Sequence, residues 1–227
     1  MPAPEALVPG FLHVLDGETD GRRRRTLRTN AALVEATIRL FRAGATSPTA
    51  NAVAREAAVS ARSLFAHFAD VPLLYQAAIK RVLDDMLAGD WPEIRRGDLV
   101  QRIEGFVNHH AQACEQWLPF QRAAATLRYE YADLWQGCQS ARDQLRERLR
   151  TVFAAELARL DDEEEACMLL DALCTLLDWD AWGKLRHDRD LTVERARAVW
   201  KSGLSRLLDA TEPSTRLVEV PRLVAVN

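Results

Sequence analysis

Apolar residues recur at three- and four-residue steps along most of the chain, the spacing of one face of an α-helix. Leu33, Ala36, Thr37, Leu40 and Phe41 form the first such face. Thr26 or Thr29 can cap it and Gly44 can end it. Thr49, after Pro48, predicts the N-cap of a short second helix with Val53, Ala54 and Ala57 turned inward. Val59 and Ser60 make a turn, and Ser60 predicts the cap of a third short helix carrying Leu64, Phe65 and Phe68. Asp70 caps a fourth, where Pro72 is tolerated in the first turn and Leu74, Ala78, Val82 and Met86 form the apolar stripe. Beyond Gly89–Pro92 the pattern resumes over about 98–117, 119–133, 135–160, 162–187 and 192–210. Asp161 with Glu164 has the arrangement of a capping box, and Thr192 caps the last helix. Strand-like alternation is absent except in the Val/Leu-rich tail, so the fold class is all-α.

Composition sharpens this. The chain has 227 residues, 48% of them hydrophobic and 28% charged, enough to bury a sizeable core and stay in solution. No run approaches the ~18 apolar residues of a membrane span. Residues 1–21 contain no Lys or Arg, unlike a secretory signal, so the expected location is the cytoplasm. Net charge is −3, but it is unevenly spread. The segment Arg22–Arg81 holds eleven Lys or Arg against three acids, whereas the residues on both sides of it are net acidic. A basic segment of that length on an acidic body is the footprint of a nucleic-acid-binding head.

Residues 1–25 read as a flexible arm ending in Arg22, Arg23, Arg24 and Arg25. That run is either a solvated charge run or a basic arm that touches phosphates or enters a minor groove. Within the basic segment, two short helices and a tight turn make a helix-turn-helix, whose second helix can lie in a major groove. Its exposed first turn follows Ser60 and carries Ala61, Arg62 and Ser63.

These residues resemble the DNA-binding region of TetR-family regulators. The matching elements are Val53-Ala54, Ala57-Ala58-Val59-Ser60, Ser63-Leu64-Phe65 and His67-Phe68. Three positions depart from the family pattern: Ala58 replaces the usual turn glycine, Val71 a phosphate-contacting lysine, and Phe65 a frequent tyrosine. The resemblance implies that Arg62 contacts a base edge or the backbone, that Ser63 meets base or phosphate, and that His67 reaches the backbone or packs at the helix end. It implies a phosphate contact for Thr49, compatible with its capping role. It also implies a domain plan: helix-turn-helix at 26–70, a helical effector-binding and dimerisation domain at 71–210, and a tail at 211–227.

For the second domain the expectations are coarser. Met168–Leu185 is apolar around more than half of a helix, and Val193, Ala196, Trp200, Gly203 and Leu207 lie close to a heptad seam. Leu173, Leu177, Trp182, Ala196, Trp200, Gly203 and Leu207 are therefore candidates for a homodimer interface, with ordinary core packing as the alternative. Trp117, Phe120, Tyr129, Tyr131 and Trp135, with His109, His110 and Cys114 upstream, are candidates for a small-molecule pocket or for plain core. An apolar or aromatic effector suits them.

Rival classes fare worse. The chain has no Gly-rich phosphate loop, HExxH or GxSxG, so no enzymatic activity and no cofactor are expected. The four cysteines form no CxxC pair and read as buried thiols; a metal site is not expected. A helical adaptor, or a metal- or redox-responsive sensor, is the alternative to a DNA-binding regulator, most simply a repressor, whose partners are double-stranded DNA, a second copy of the chain and an effector.

Overall fold

Local capping chemistry sets the helix boundaries. The computed structural model describes residues Gly10–Asp209, and residues 1–9 of the expected arm and the tail at 211–227 lie outside them. The elements are α1 (Gly10–Arg42), α2 (Ala50–Glu56), α3 (Ala61–His67), α4 (Val71–Ala88), α5 (Leu99–Trp117), α6 (Gln121–Leu127), α7 (Ala132–Val152), α8 (Ala154–Leu157), α9 (Glu163–Leu176), α10 (Trp179–Gly183) and α11 (Val193–Asp209). No strand occurs among the described residues. Two compact units form: Met1–Asp85 with Arg122–Gly137, and Met86–Gln121 with Cys138–Asn227.

The first unit has a core of Leu33, Ala36, Val53, Ala54, Leu64 and Leu74, all buried. Burying a Leu or Val side chain is worth roughly 1.5–3 kcal/mol, so this small cluster fixes α1, α2 and α3 against each other. Tyr75 adds a polar tie: its Oη donates to Pro48 O at 2.6 Å while its ring meets Phe41 edge-on. Leu73 N donates to Asp70 Oδ1 at 2.8 Å, the cap expected for α4.

The ends of α1 and α2 share one geometry. At the end of α1, Ala45 N bonds Leu40 O and Gly44 N bonds Phe41 O, with Gly44 at φ +93°. At the end of α2, Val59 N bonds Ala54 O and Ala58 N bonds Arg55 O, with Ala58 at φ +55°. Both are Schellman closures, which need a left-handed residue. Ala58 thus takes the strained conformation that a glycine would take freely.

The second unit is built round aromatic side chains on α5, α10 and α11, in the 3-10 turn after α5 and at the break between α7 and α8. Phe106, Trp117, Phe120, Phe153, Trp182 and Trp200 are all at most 2% exposed. Within this core lies one buried ion pair. Arg102 donates to both carboxylate oxygens of Glu156, at 2.8 and 2.7 Å, and to Val152 O at 2.7 Å. The guanidinium thereby also closes the C-terminal end of α7.

Several expected boundaries shift. Neither Thr26 nor Thr29 caps α1, which begins further upstream; Thr29 Oγ1 instead donates to Arg25 O one turn back. Arg22–Arg25 consequently stand on a helix rather than in an arm. Asp162, not Asp161, caps α9, accepting from Glu164 N. The segments read as 119–133, 135–160 and 162–187 are each interrupted. Pro119 sits in a 3-10 turn, Phe153 separates α7 from α8, and Asp178 starts α10 by accepting from Asp180 N at 2.7 Å.

Candidate nucleic-acid interface

Helix α3 has seven residues, and a helix that short is marginal alone. Three features hold it. Ser60 Oγ accepts from Ser63 N at 3.1 Å, Leu64 is fully buried, and Phe68 packs on the same core. With Leu64 inward, the opposite face is fixed: Arg62 and Phe65 are exposed, Phe65 by 52%. Ala61, Ser63 and His67 are half-buried beside them. Helix α2 is fixed alike, with Thr49 Oγ1 accepting from Ala52 N at 3.2 Å and the rest of Thr49 exposed.

Charge on this unit is less uniform than the sequence count implies. Lys80 and Arg81 are met by Asp84 and Asp85 one turn along α4, at 2.7 and 3.0 Å. Arg39 pairs with Glu56 at 2.6 Å, joining α1 to α2. Arg62, by contrast, makes no hydrogen bond or ion pair with any described residue. Arg22, Arg23, Arg24 and Arg25 are exposed over a full turn of α1. An exposed, unpaired guanidinium in the first turn of a capped helix can make the two parallel hydrogen bonds that guanine offers in a major groove.

The candidate pocket residues divide between the two units. Cys114 belongs to the core of the second, Trp117 and Phe120 are buried residues of that unit, and His110 is half-buried in it. His110 Nε2 lies 2.8 Å from Leu177 O, and its ring stacks on Trp200 with centroids 5.4 Å apart. Burial pushes the His110 pKa down to about 4, against a weaker upward pull from that carbonyl, and pushes the Cys114 thiol well up. Both are neutral at pH 7, as core groups are. His109 is half-buried and meets Trp91 edge-on. Tyr129, Tyr131 and Trp135 fall in the first unit, where Tyr129 is 70% and Trp135 42% exposed. Among the described residues no cluster of His, Cys, Asp and Glu could hold a metal, and no helix is long and apolar enough to cross a membrane.

Of the candidate interface residues, Leu173, Leu177, Trp182, Ala196 and Trp200 are fully buried within their own unit. Their heptad-like spacing is occupied by intrachain packing, so they present nothing to a second copy. Gly203 and Leu207 are half-buried; Leu176 lies over Gly203 so closely that a Cβ there would be 2.8 Å from it. The apolar side chains left outward on α9 and α11 are instead Cys167, Met168, Ala172, Ala198 and Val199, so Cys167 is not the buried thiol its sequence suggests. Periodicity finds helices with two apolar faces but does not tell which face the core takes.

No family model and no curated protein matches the chain by sequence. Solved structures do match. A tetR-family transcriptional regulator from Streptomyces coelicolor superposes with a TM-score of 0.55 at 16% identity, over 81% of this chain and 92% of that one. The chain has the all-helical fold of TetR-family regulators.

Proposed function

We propose that the chain is a sequence-specific, DNA-binding transcriptional regulator. The observation that carries this reading is Arg62: exposed, unpaired among the described residues, and held in the first turn of a helix whose other face is locked into the core. In this reading Arg62 reads a base edge, Ser63 and Phe65 flank it, and Thr49, Ser60, Ala61 and His67 face the backbone. Arg22–Arg25 supply phosphate attraction, which provides much of the affinity of such proteins.

The protein works as a homodimer on a palindromic site, with half-sites about one DNA turn (~34–36 Å) apart. The outward face of α9 and α11, with Met168, Ala172 and Val199, is the dimer surface. Binding of a small apolar or aromatic effector to the second unit releases the protein, which acts as a repressor. The effector can do so only by binding the released state more tightly than the DNA-bound one.

The test is Arg62→Ala. Because Arg62 makes no hydrogen bond or ion pair with any described residue, the variant keeps its melting temperature. Loss of a bidentate pairing with a base costs about 1–3 kcal/mol, so affinity for the preferred duplex falls roughly tenfold or more while nonspecific binding persists. Unchanged discrimination between duplexes would overturn the assignment.

A further inference from the structure

The centre of the second unit is filled by Trp182, Trp200 and Phe106, but open space exists elsewhere in it. A cavity of about 260 Å³ lies between the α4–α5 connection and the last turns of α7. Trp91, Ile94 and Arg95 line one side, and Arg148, Thr151 and Val152 the other.

Its polar groups are short of acceptors. Arg148 is half-buried, and its guanidinium sits 4.3 Å from the centroid of the Trp91 ring. A guanidinium has five N–H donors, yet the hydrogen bond Arg148 makes is from Nη2 to Gln144 Oε1 at 2.9 Å. Arg102, Arg142 and Arg186 in the same unit each meet a carboxylate; Arg148 meets none among the described residues. Burial pushes its pKa down, with no acid pulling it back. Trp91 offers the cavity its ring, since its Nε1 is buried out of solvent reach. The N–H groups of Arg148 that are not bonded to Gln144 are not sealed from solvent, so they can turn to an anionic acceptor in the cavity, which makes a charge-assisted hydrogen bond.

Size and lining narrow the chemistry. The volume is at or below the low end of the ~300–1,000 Å³ usual for ligand sites. Ile94, Val152 and the Trp91 ring offer an apolar wall. Glu93 and Glu147 stand at the same cavity, Glu93 exposed and Glu147 held by Arg150 at 2.7 Å, and they oppose a ligand of more than one negative charge.

We infer that this cavity binds a small organic monocarboxylate, its carboxylate on Arg148 and its apolar body on the Trp91 ring, Ile94 and Val152. The inference deepens the effector reading and rests on it only for the link to DNA; the binding itself does not.

The experiment uses the full chain and calorimetric titration with benzoate, phenylacetate, hexanoate and octanoate, each beside its primary amide. At least one carboxylate is expected to saturate one site per chain, about tenfold or more tighter than its amide, since the amide forgoes a charge-assisted hydrogen bond. Arg148→Gln should weaken that carboxylate about tenfold with little effect on the amide. Thr151→Trp, which fills the space and leaves Arg148 in place, should abolish binding of acid and amide alike. Circular dichroism melts show whether each variant is folded; the acid-against-amide comparison needs no variant. No saturation by any of the four acids, equal affinity for acid and amide, or full affinity in folded Arg148→Gln would each overturn the inference. Carboxylate binding that leaves affinity for DNA unchanged would support the site and refute its effector role alone.

Discussion

Replacing Ala58 with glycine should stabilise the first unit. Ala58 closes α2 at φ +55°, a conformation that costs an L-residue roughly 1–2 kcal/mol. Its methyl is exposed, so removing it forfeits no packing. Glycine relieves the strain but brings back about 0.4–1 kcal/mol of chain entropy in the unfolded state. The net expectation is a gain of about 0.5–1 kcal/mol, or about 1–4 °C in melting temperature for a chain of this size. Urea melts followed by circular dichroism read it as a raised midpoint at unchanged slope. Ala52→Gly, inside α2, is the control and should lose about 1 kcal/mol. If both glycines destabilise alike, the left-handed closure at Ala58 is wrong, and with it the turn that orients α3.

Other expectations follow from the same geometry. Converting Arg22–Arg25 to alanine should lower the slope of log affinity against log salt by about one for each phosphate that is no longer neutralised, in titrations on one duplex. Glu156→Gln should destabilise the second unit by about 3–5 kcal/mol, because it leaves Arg102 buried without its partner charge; Arg102→Met with Glu156→Leu should recover most of that in thermal melts. The hydrogen bond from Arg102 holds the Glu156 pKa below its usual 4.5. The stability it adds is therefore complete above pH about 4.5 and lost as pH falls through the lower folded value, a dependence that Glu156→Gln should remove. His110 works through the unfolded state: with its folded pKa near 4 against 6.5, stability should decline as pH falls from about 6.5 to about 4. Proton NMR should find its ring neutral at pH 6.

What can be read in the sequence is local. Thr49, Ser60, Asp70 and Thr192 each accept the backbone hydrogen bond their positions imply, because an N-cap involves residues three apart. Gly44 likewise ends α1. The missing glycine at 58 points to strain, and strain is there. Tertiary pairing is not legible. Arg102 and Glu156 are 54 residues apart, and nothing near either announces the other. Trp182 and Trp200 sit in stretches apolar enough for core or interface, and the core takes them. Arg148 lies on α7 among other arginines, and it is set apart by meeting no carboxylate among the described residues.

The central claim is that α3 reads base sequence. Its most direct test is selection from random duplex DNA at near-physiological salt, followed by sequencing of the retained pool. The account predicts an enriched palindrome with half-sites about one turn apart, and a pool from Arg62→Ala in which the strongest position of each half-site is relaxed. Retention without any enriched sequence would contradict it, leaving the basic head as a nonspecific phosphate binder.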